Sequence, residues 1–330
     1  MMTTVRKNMW TLGDNDFINA KNIRIPSKQK KLIDYISERE AEVDDRLDDI
    51  EGTTIDGVDF TKIMTLPLDK VISSSEWTKN AGFHNSIFRG KYLGSSYTEA
   101  QRTAIQSGTF DDLFIGDYWT IGGIDYVICH FDYYYRCSDA DINYHHVIVM
   151  PRGTMTGLSV TRINSETDGT YQWCSGTANS TAGGYIASRM RTVIMPACDV
   201  KVKSAFGSSY VHAISELYPS TFASETDGRA KGWAWTSTDL VCDLLNETMV
   251  YGHQVWGVGS EHGNAGYEVG IDKWQLAIFR LDPQFANIRS AWWLRSVASA
   301  SLAALVDYLG IASYAGAANA FRVRPRFVLS

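Results

Sequence analysis

Two short β-prone runs, Asp117-Tyr118-Trp119-Thr120-Ile121 and Ile124-Asp125-Tyr126-Val127-Ile128, flank the dipeptide Gly122-Gly123. A two-residue link of this kind must place both residues in the left-handed backbone region, which glycine enters freely. The segment therefore predicts an antiparallel hairpin. His146-Val147-Ile148-Val149-Met150, closed by Pro151, reads as a further strand. Helical signals surround these strands. Ser96 or Thr98 can cap a helix running to about Ser107, where Gly108 can end it. Tyr185–Ile194 and Pro196–Ala205 read as two helices, and Thr238–Val250 as a third with Ser237 as its cap. Residues 208 to 235 have a short, irregular pattern, and residues 252 to 270 hold six glycines, so both stretches are expected to be loop-like. Ala320–Arg324 and Phe327–Leu329 close the chain as strands. The fold class is α+β.

The first fifty residues differ from the rest. Lys28 to Glu51 is mostly polar or charged with a sparse apolar series, Ile33, Ile36, Val43, Leu47 and Ile50, which fall on heptad a and d positions with Glu40 interrupting the series. That spacing predicts a short helix with a coiled-coil seam, ended by Gly52. Three domains follow from the pattern: an attachment and coiled-coil segment at 1–51, a connector at 52–84 with extended pieces such as Lys62–Leu66, and a compact region at 85–330.

A formal charge of −6 supplies no basic footprint, which argues against nucleic acid and against docking on anionic lipid. No apolar stretch approaches the roughly 20 residues that span a bilayer, and Met1–Asp16 lacks the apolar core of a signal peptide. Synthesis in the cytoplasm without membrane insertion is the expectation. The five cysteines, Cys129, Cys137, Cys174, Cys198 and Cys242, form no C-x-x-C pair; reduced thiols, mostly in the core, are expected.

Chemistry-bearing patterns are sparse. His145 and His146 are adjacent, and on a strand adjacent side chains point to opposite faces, so they are not expected to share a metal ion. His130, His212, His253 and His262 have no H-x-H or H-x-x-x-H spacing. No G-x-S-x-G nucleophile motif and no phosphate-loop lysine occur. Neither a catalytic residue, a metal nor a cofactor is expected, and the chain reads as a non-enzyme.

The last forty residues carry more information. Trp292-Trp293-Leu294-Arg295-Ser296-Val297 looks like a core anchor with a buried or stacked guanidinium, and the terminal strand with Val323-Arg324-Pro325-Arg326-Phe327 looks like its partner. Leu294 to Ser330 contains no Lys, Glu, Gln, Met or Trp. An Ala-rich surface helix would normally include Lys, Glu or Gln, and Gly310 and Gly316 spoil a helix there.

This frame resembles the variable region of target proteins of diversity-generating retroelements, with a loop of fixed small residues and hypervariable positions between two anchors. In that family, template adenines, chiefly in Asn codons, are randomised on copying; the reachable residue types never include Lys, Glu, Gln, Met or Trp. The resemblance implies randomised codons at Leu302, Leu305, Asp307, Leu309 and Ile311, with Ala315 and Gly316 also candidates, and Tyr308, Tyr314 and Asn319 beside them. Ala304, Val306, Gly310 and Ala312 would be fixed scaffold. Ser107–Leu113, Gly116–Trp119, His145–Ile148 and Asn246–Gly252 are similar to gut-phage and prophage proteins with such a tail. One departure is Arg322, where many relatives have Gly.

The resemblance implies a C-type-lectin-like domain with insertions, its variable region at about 290–324, preceded by the helical segment. It also implies a phage tail-tip receptor-binding protein, homotrimeric and carried on the virion, that contacts a protein or glycan receptor on a bacterial host. Asp307 is the one acidic residue of the C-terminal segment, so binding is expected to be calcium-independent. Two alternatives are a structural tail protein without receptor role and a formylglycine-generating-type enzyme. The latter needs a reactive cysteine pair near the C-terminal part of its domain, and no cysteine follows Cys242.

Overall fold

A computed structural model describes residues 80–136, 142–222, 230–235, 241–256 and 274–330, with four two-residue strands nearer the N-terminus. The chain divides into two units, Met1–Ser74 and Ser75–Ser330. In the first, β1 (Arg24–Ile25) pairs antiparallel with β2 (Lys30–Lys31), and β3 (Thr54–Ile55) with β4 (Val58–Asp59). Lys30 and Lys31 thus lie in a strand where a helix was expected. The heptad residues from Ile33 to Ile50, and Lys62–Leu66, lie outside the described residues.

The second unit is α+β and begins upstream of the expected Asn85. Helix α1 (Ala81–His84) starts at Asn80, whose side chain accepts from Phe83 N, and it ends on the buried His84. β5 (Tyr92–Gly94) follows, then α2 (Glu99–Gln106), where Thr98 and Gln101 form a reciprocal capping box. The hairpin forms as the glycines demand. β6 (Tyr118–Ile121) and β7 (Ile124–Phe131) pair with Ile121 opposite Ile124, and Gly122 and Gly123 take φ of 58° and 77°. β8 (Val147–Pro151) adds to β7.

β9 (Thr170–Gln172) and the short α3 (Gly184–Ala187) lead into a π-helical turn, Met190–Ile194, which runs directly into α4 (Met195–Phe206). The two helices expected on either side of Met195 therefore join. Pro196 lacks an N–H donor, and it falls directly after the π-helical turn, where the hydrogen-bond ladder changes register. β10 (Val211–His212) and the hairpin β11 (Leu217–Phe222) and β12 (Ala230–Trp235) occupy the region expected to be irregular. Pro219 and Gly232 in those strands obscured the signal.

Of the expected helix Thr238–Val250, its cap Ser237 and residues 238–240 lie outside the described residues, residues 241–246 are not helical, and the helix begins only at α5 (Glu247–Tyr251), capped by Asn246. Asp243 exchanges two backbone hydrogen bonds with Arg326, of 3.0 and 2.8 Å, which commits its backbone to a β-bridge. After α6 (Ala277–Leu281) and a 3₁₀ turn come β13 (Trp292–Val297), β14 (Leu302–Val306), β15 (Ala312–Gly316), β16 (Ala320–Arg322) and β17 (Phe327–Leu329).

These strands form a six-stranded sheet in the order β10-β17-β8-β7-β6-β5 and a five-stranded sheet in the order β15-β14-β13-β16-β9. The C-terminal strand lies inside the first sheet, and the segment before it belongs to the second. The link Val323–Arg326 therefore crosses from one sheet to the other. Arg324 is fully buried there, its guanidinium 4.4 Å from the Phe285 ring centroid and 4.8 Å from that of Trp292. It donates to Phe285 O at 2.9 Å and Pro151 O at 3.3 Å, and burial lowers its pKa to about 9.

Arg295 and Arg326 meet Glu216 in the interior, and Tyr134 donates its hydroxyl to the same carboxylate. Tyr185 donates to Asp243 at 2.5 Å. Arg295 thus has the buried polar partner that its place after the two tryptophans suggested. The described cysteines Cys129, Cys174, Cys198 and Cys242 are free and buried; Cys137 lies outside the described residues. Among the described residues no helix is long and apolar enough to cross a membrane.

Two buried histidines make the unit acid-sensitive. His146 donates Nδ1–H to Tyr144 O and accepts Tyr134 N–H at Nε2, and burial lowers its pKa to about 4. His130 accepts Ala277 N–H at Nδ1, and burial lowers it to about 3. Both are neutral when folded, so the unfolded chain binds more protons below the ordinary value of about 6.5. Their contribution is whole above that pH and is lost as pH falls toward 4. Urea unfolding at pH 7 and pH 4.5 is expected to differ by roughly 2–4 kcal/mol. A midpoint unchanged across that range would contradict the burial of neutral imidazoles.

Candidate functional site

The hairpin β14–β15 is built around one carboxylate. Asp307 Oδ1 accepts from Leu309 N at 2.8 Å and Ile311 N at 2.9 Å, and Asp307 N donates to Ile311 O at 2.9 Å. Gly310 takes φ 86°, and a Cβ there would lie 3.3 Å from the backbone nitrogen of Asn287. Tyr251 donates its hydroxyl to Gly310 O at 3.1 Å, which ties the turn to α5.

This locked turn leaves the side chains between and beyond its anchors in solvent. Tyr308 is 61% exposed, Leu309 54%, Ile311 58% and Tyr314 43%. A second segment extends the patch. Glu247 is buried and its carboxylate accepts from Val255 N and Trp256 N, so both side chains are held at the surface and exposed. Trp256 meets Tyr314 edge-on with ring centroids 4.8 Å apart, and its indole N–H donates to Ala312 O at 2.8 Å. Val255 and Trp256 were missed by sequence reasoning. Their only signal is a tryptophan after a glycine-containing break.

Between the two anchors the chain was expected to be a loop, and it is a hairpin instead. Alanine has little strand preference, so the strands follow from their burial between neighbours: Ala303, Ala304 and Val306 are fully buried. That placement corrects two candidate positions. Leu305 lies opposite Trp293 on one side and Ser313 on the other, and it is only 3% exposed. Gly316 is buried, and a Cβ there would stand 2.5 Å from the Asn179 amide, whose oxygen accepts from Ala318 N. Neither position can vary freely without disturbing the core.

Leu302, Asp307 and Ala315 are half-buried, and Asn319 is exposed. Asp307 is spent on its own turn, which leaves it a poor candidate for free substitution. Of the positions assigned to scaffold, Ala304 and Val306 are fully buried, whereas Gly310 and Ala312 are half-buried. Trp292, Trp293 and Leu294, on the strand that neighbours β14, and Val323 are fully buried.

Elsewhere, His145 and His146 lie just before β8 rather than on it. The His145 ring sits 2.7 Å from Asp132 Oδ2 through Nδ1, whereas the His146 ring bonds Tyr144 O and Tyr134 N and its backbone N donates to Asp132 Oδ1 at 2.9 Å. Among the described residues no group of three or more His, Cys, Asp or Glu could hold a metal ion. Burial pushes the thiols of Cys129, Cys198 and Cys242 well up, which disfavours thiolate chemistry at those three positions. What the hairpin surface can do is bury apolar and aromatic area against a partner. No family model, no curated protein and no solved structure matches this chain.

Proposed function

We propose that the chain is a ligand-binding protein rather than an enzyme, with a C-type-lectin-like domain whose hairpin β14–β15 carries positions diversified by a retroelement. In this reading it acts as a homotrimeric phage tail-tip protein that engages a surface receptor on a bacterial host. The observation that supports it best is the contrast within one short segment. Tyr308, Leu309, Ile311 and Tyr314 all stand in solvent on a hairpin whose supporting tryptophans are fully buried. Such an arrangement lets recognition change while the fold does not. The missing residue types of Leu294–Ser330 are what a randomised Asn-rich template would leave. Repetition of a modest patch around a trimer would raise its avidity.

The test compares one exposed and one buried leucine. Leu309→Asn is expected to weaken adsorption to host cells while changing stability by less than about 0.5 kcal/mol. Leu305→Asn is expected to cost about 2–5 kcal/mol, because it removes buried volume and strands an amide. Sequencing beside the gene should show a reverse transcriptase and a near-repeat of the segment with mismatches at adenines. A hairpin whose exposed residues can all be changed without effect on adsorption would remove the proposal.

A further inference from the structure

A groove of about 850 Å3 lies at the edge strand β5, bounded by helix α2 and the loop 107–113. It shares no residue with the hairpin patch. Its walls are fixed before any ligand arrives. Gln101 accepts from Thr98 N and Trp119 Nε1, at 3.0 and 2.9 Å, and donates to Leu93 O at 3.1 Å. That one side chain fastens the first turn of α2 to β5 and β6.

On the opposite wall, Arg89 and Lys91 both pair with Asp112 at 2.5 Å, and Arg89 also reaches the buried Asp117 at 2.6 Å. Phe110 and Asp112 hold φ of 52° and 53°, a left-handed conformation that non-glycine residues adopt at a cost. Gly108, at φ 71°, is pressed against His145: a Cβ would lie 2.5 Å from its Nε2. Asp132 and the stacked Tyr135 ring, 4.6 Å away, hold that histidine from behind.

The groups left facing solvent are chemically mixed. Tyr92 is exposed, with its ring 5.6 Å from Tyr118, and the Arg152 guanidinium lies 4.9 Å from the Tyr118 ring centroid. The tilted contact with Tyr118, 44° between ring planes, backs Tyr92 on one side. Glu99, Thr103 and Asp111 are exposed along the groove. Among the described residues the Tyr92 hydroxyl, the Glu99 carboxylate and the Thr103 hydroxyl have no hydrogen-bond partner. The two cations nearby, Arg89 and Lys91, are already taken by carboxylates.

An aromatic face beside unspent carboxylate and hydroxyl groups complements a ligand with one apolar face and a rim of hydroxyls. Uncompensated Glu99 and Asp111 disfavour an anion. We propose that this groove is a binding site for a neutral saccharide, in which Tyr92 stacks on a sugar ring and Glu99 and Asp111 accept hydrogen bonds from its hydroxyls.

The experiment presents the full chain to an array of neutral and anionic oligosaccharides built from glucose, galactose, mannose and N-acetylglucosamine. Saturation-transfer NMR with the strongest neutral binder follows. Binding of a neutral oligosaccharide is expected, with Tyr92→Ala lowering affinity by about tenfold or more and Tyr92→Phe retaining most of it. Glu99→Gln with Asp111→Asn should also weaken it, and Tyr314→Ala should not. All these side chains are exposed, and an unchanged melting temperature verifies that the variants fold. Three results would each overturn the assignment: no neutral member binding at millimolar concentration, a preference for anionic members, or equal binding by wild type and Tyr92→Ala. Loss of host adsorption in hairpin variants with saccharide binding intact separates this site from the hairpin.

Discussion

Trp293→Ala is expected to destabilise the second unit by about 3–5 kcal/mol, enough to unfold a domain of ordinary stability. Trp293 is fully buried, packs edge-on against Phe321 at 5.0 Å and donates its indole N–H to Tyr171 O at 2.8 Å. It also faces Leu305 across the β13–β14 ladder, so one side chain braces the hairpin, β16 and β9 together. Truncation would leave a cavity beneath the hairpin and take the donor from a buried carbonyl. Urea unfolding followed by tryptophan fluorescence and far-UV circular dichroism measures the loss. A change under about 1 kcal/mol would mean that the hairpin is supported from elsewhere.

Glu216→Ala should be of similar size, about 3–5 kcal/mol. Its carboxylate lies between Arg295 on β13 and Arg326 just before β17, so it bridges the two large sheets. Burial raises its pKa, but the two guanidiniums and the Tyr134 hydroxyl outweigh burial, with a net fall to about 2. The folded value lies below the ordinary carboxylate value, so this contribution is whole above about pH 4.5 and fades as pH drops toward 2. Removing the acid alone takes from two buried guanidiniums the carboxylate they share, while Asp243 stays 3.8 Å from Arg326. The double variant Glu216→Ala, Arg295→Met should therefore recover part of the loss in the same unfolding assay. Two losses that simply add would contradict direct coupling.

Sequence reasoning succeeded where a residue has one physical use. Gly122-Gly123 could serve only a tight turn, Thr98 only a cap, and two adjacent tryptophans followed by Arg295 chiefly a core anchor. It failed where tertiary context overrides local preference. The alanines of β14 and β15 carry little strand signal, and β14 lies inside a sheet with buried residues on both faces. The alternation that would have marked Leu305 as inward-facing is therefore absent. The helix expected from Thr238 was shortened by the bridge between Asp243 and Arg326, 83 positions apart, a pairing no local window contains.

The candidate surface was legible in part for a similar reason. The odd composition of Leu294–Ser330 directed attention to the hairpin, but composition does not say which side of a strand a residue occupies. Trp256 was invisible because its role depends on Glu247 gripping the backbone from below. The groove beside β5 was not foreseen at all. Its residues come from ordinary cap and loop positions that acquire meaning only when α2 folds against the sheet edge.

The bond from the Trp256 indole to Ala312 O bears on how this chain behaves when crowded. β15 is an edge strand, and exposed edges beside apolar side chains invite other chains to add as further strands. Ala312 O is occupied by the indole and Gly316 O by Asn319 N, so among the described residues the open rim narrows to the vicinity of Tyr314. A surface rimmed in this way offers neighbouring molecules side chains to bind but little free backbone to extend, which disfavours growth by strand addition.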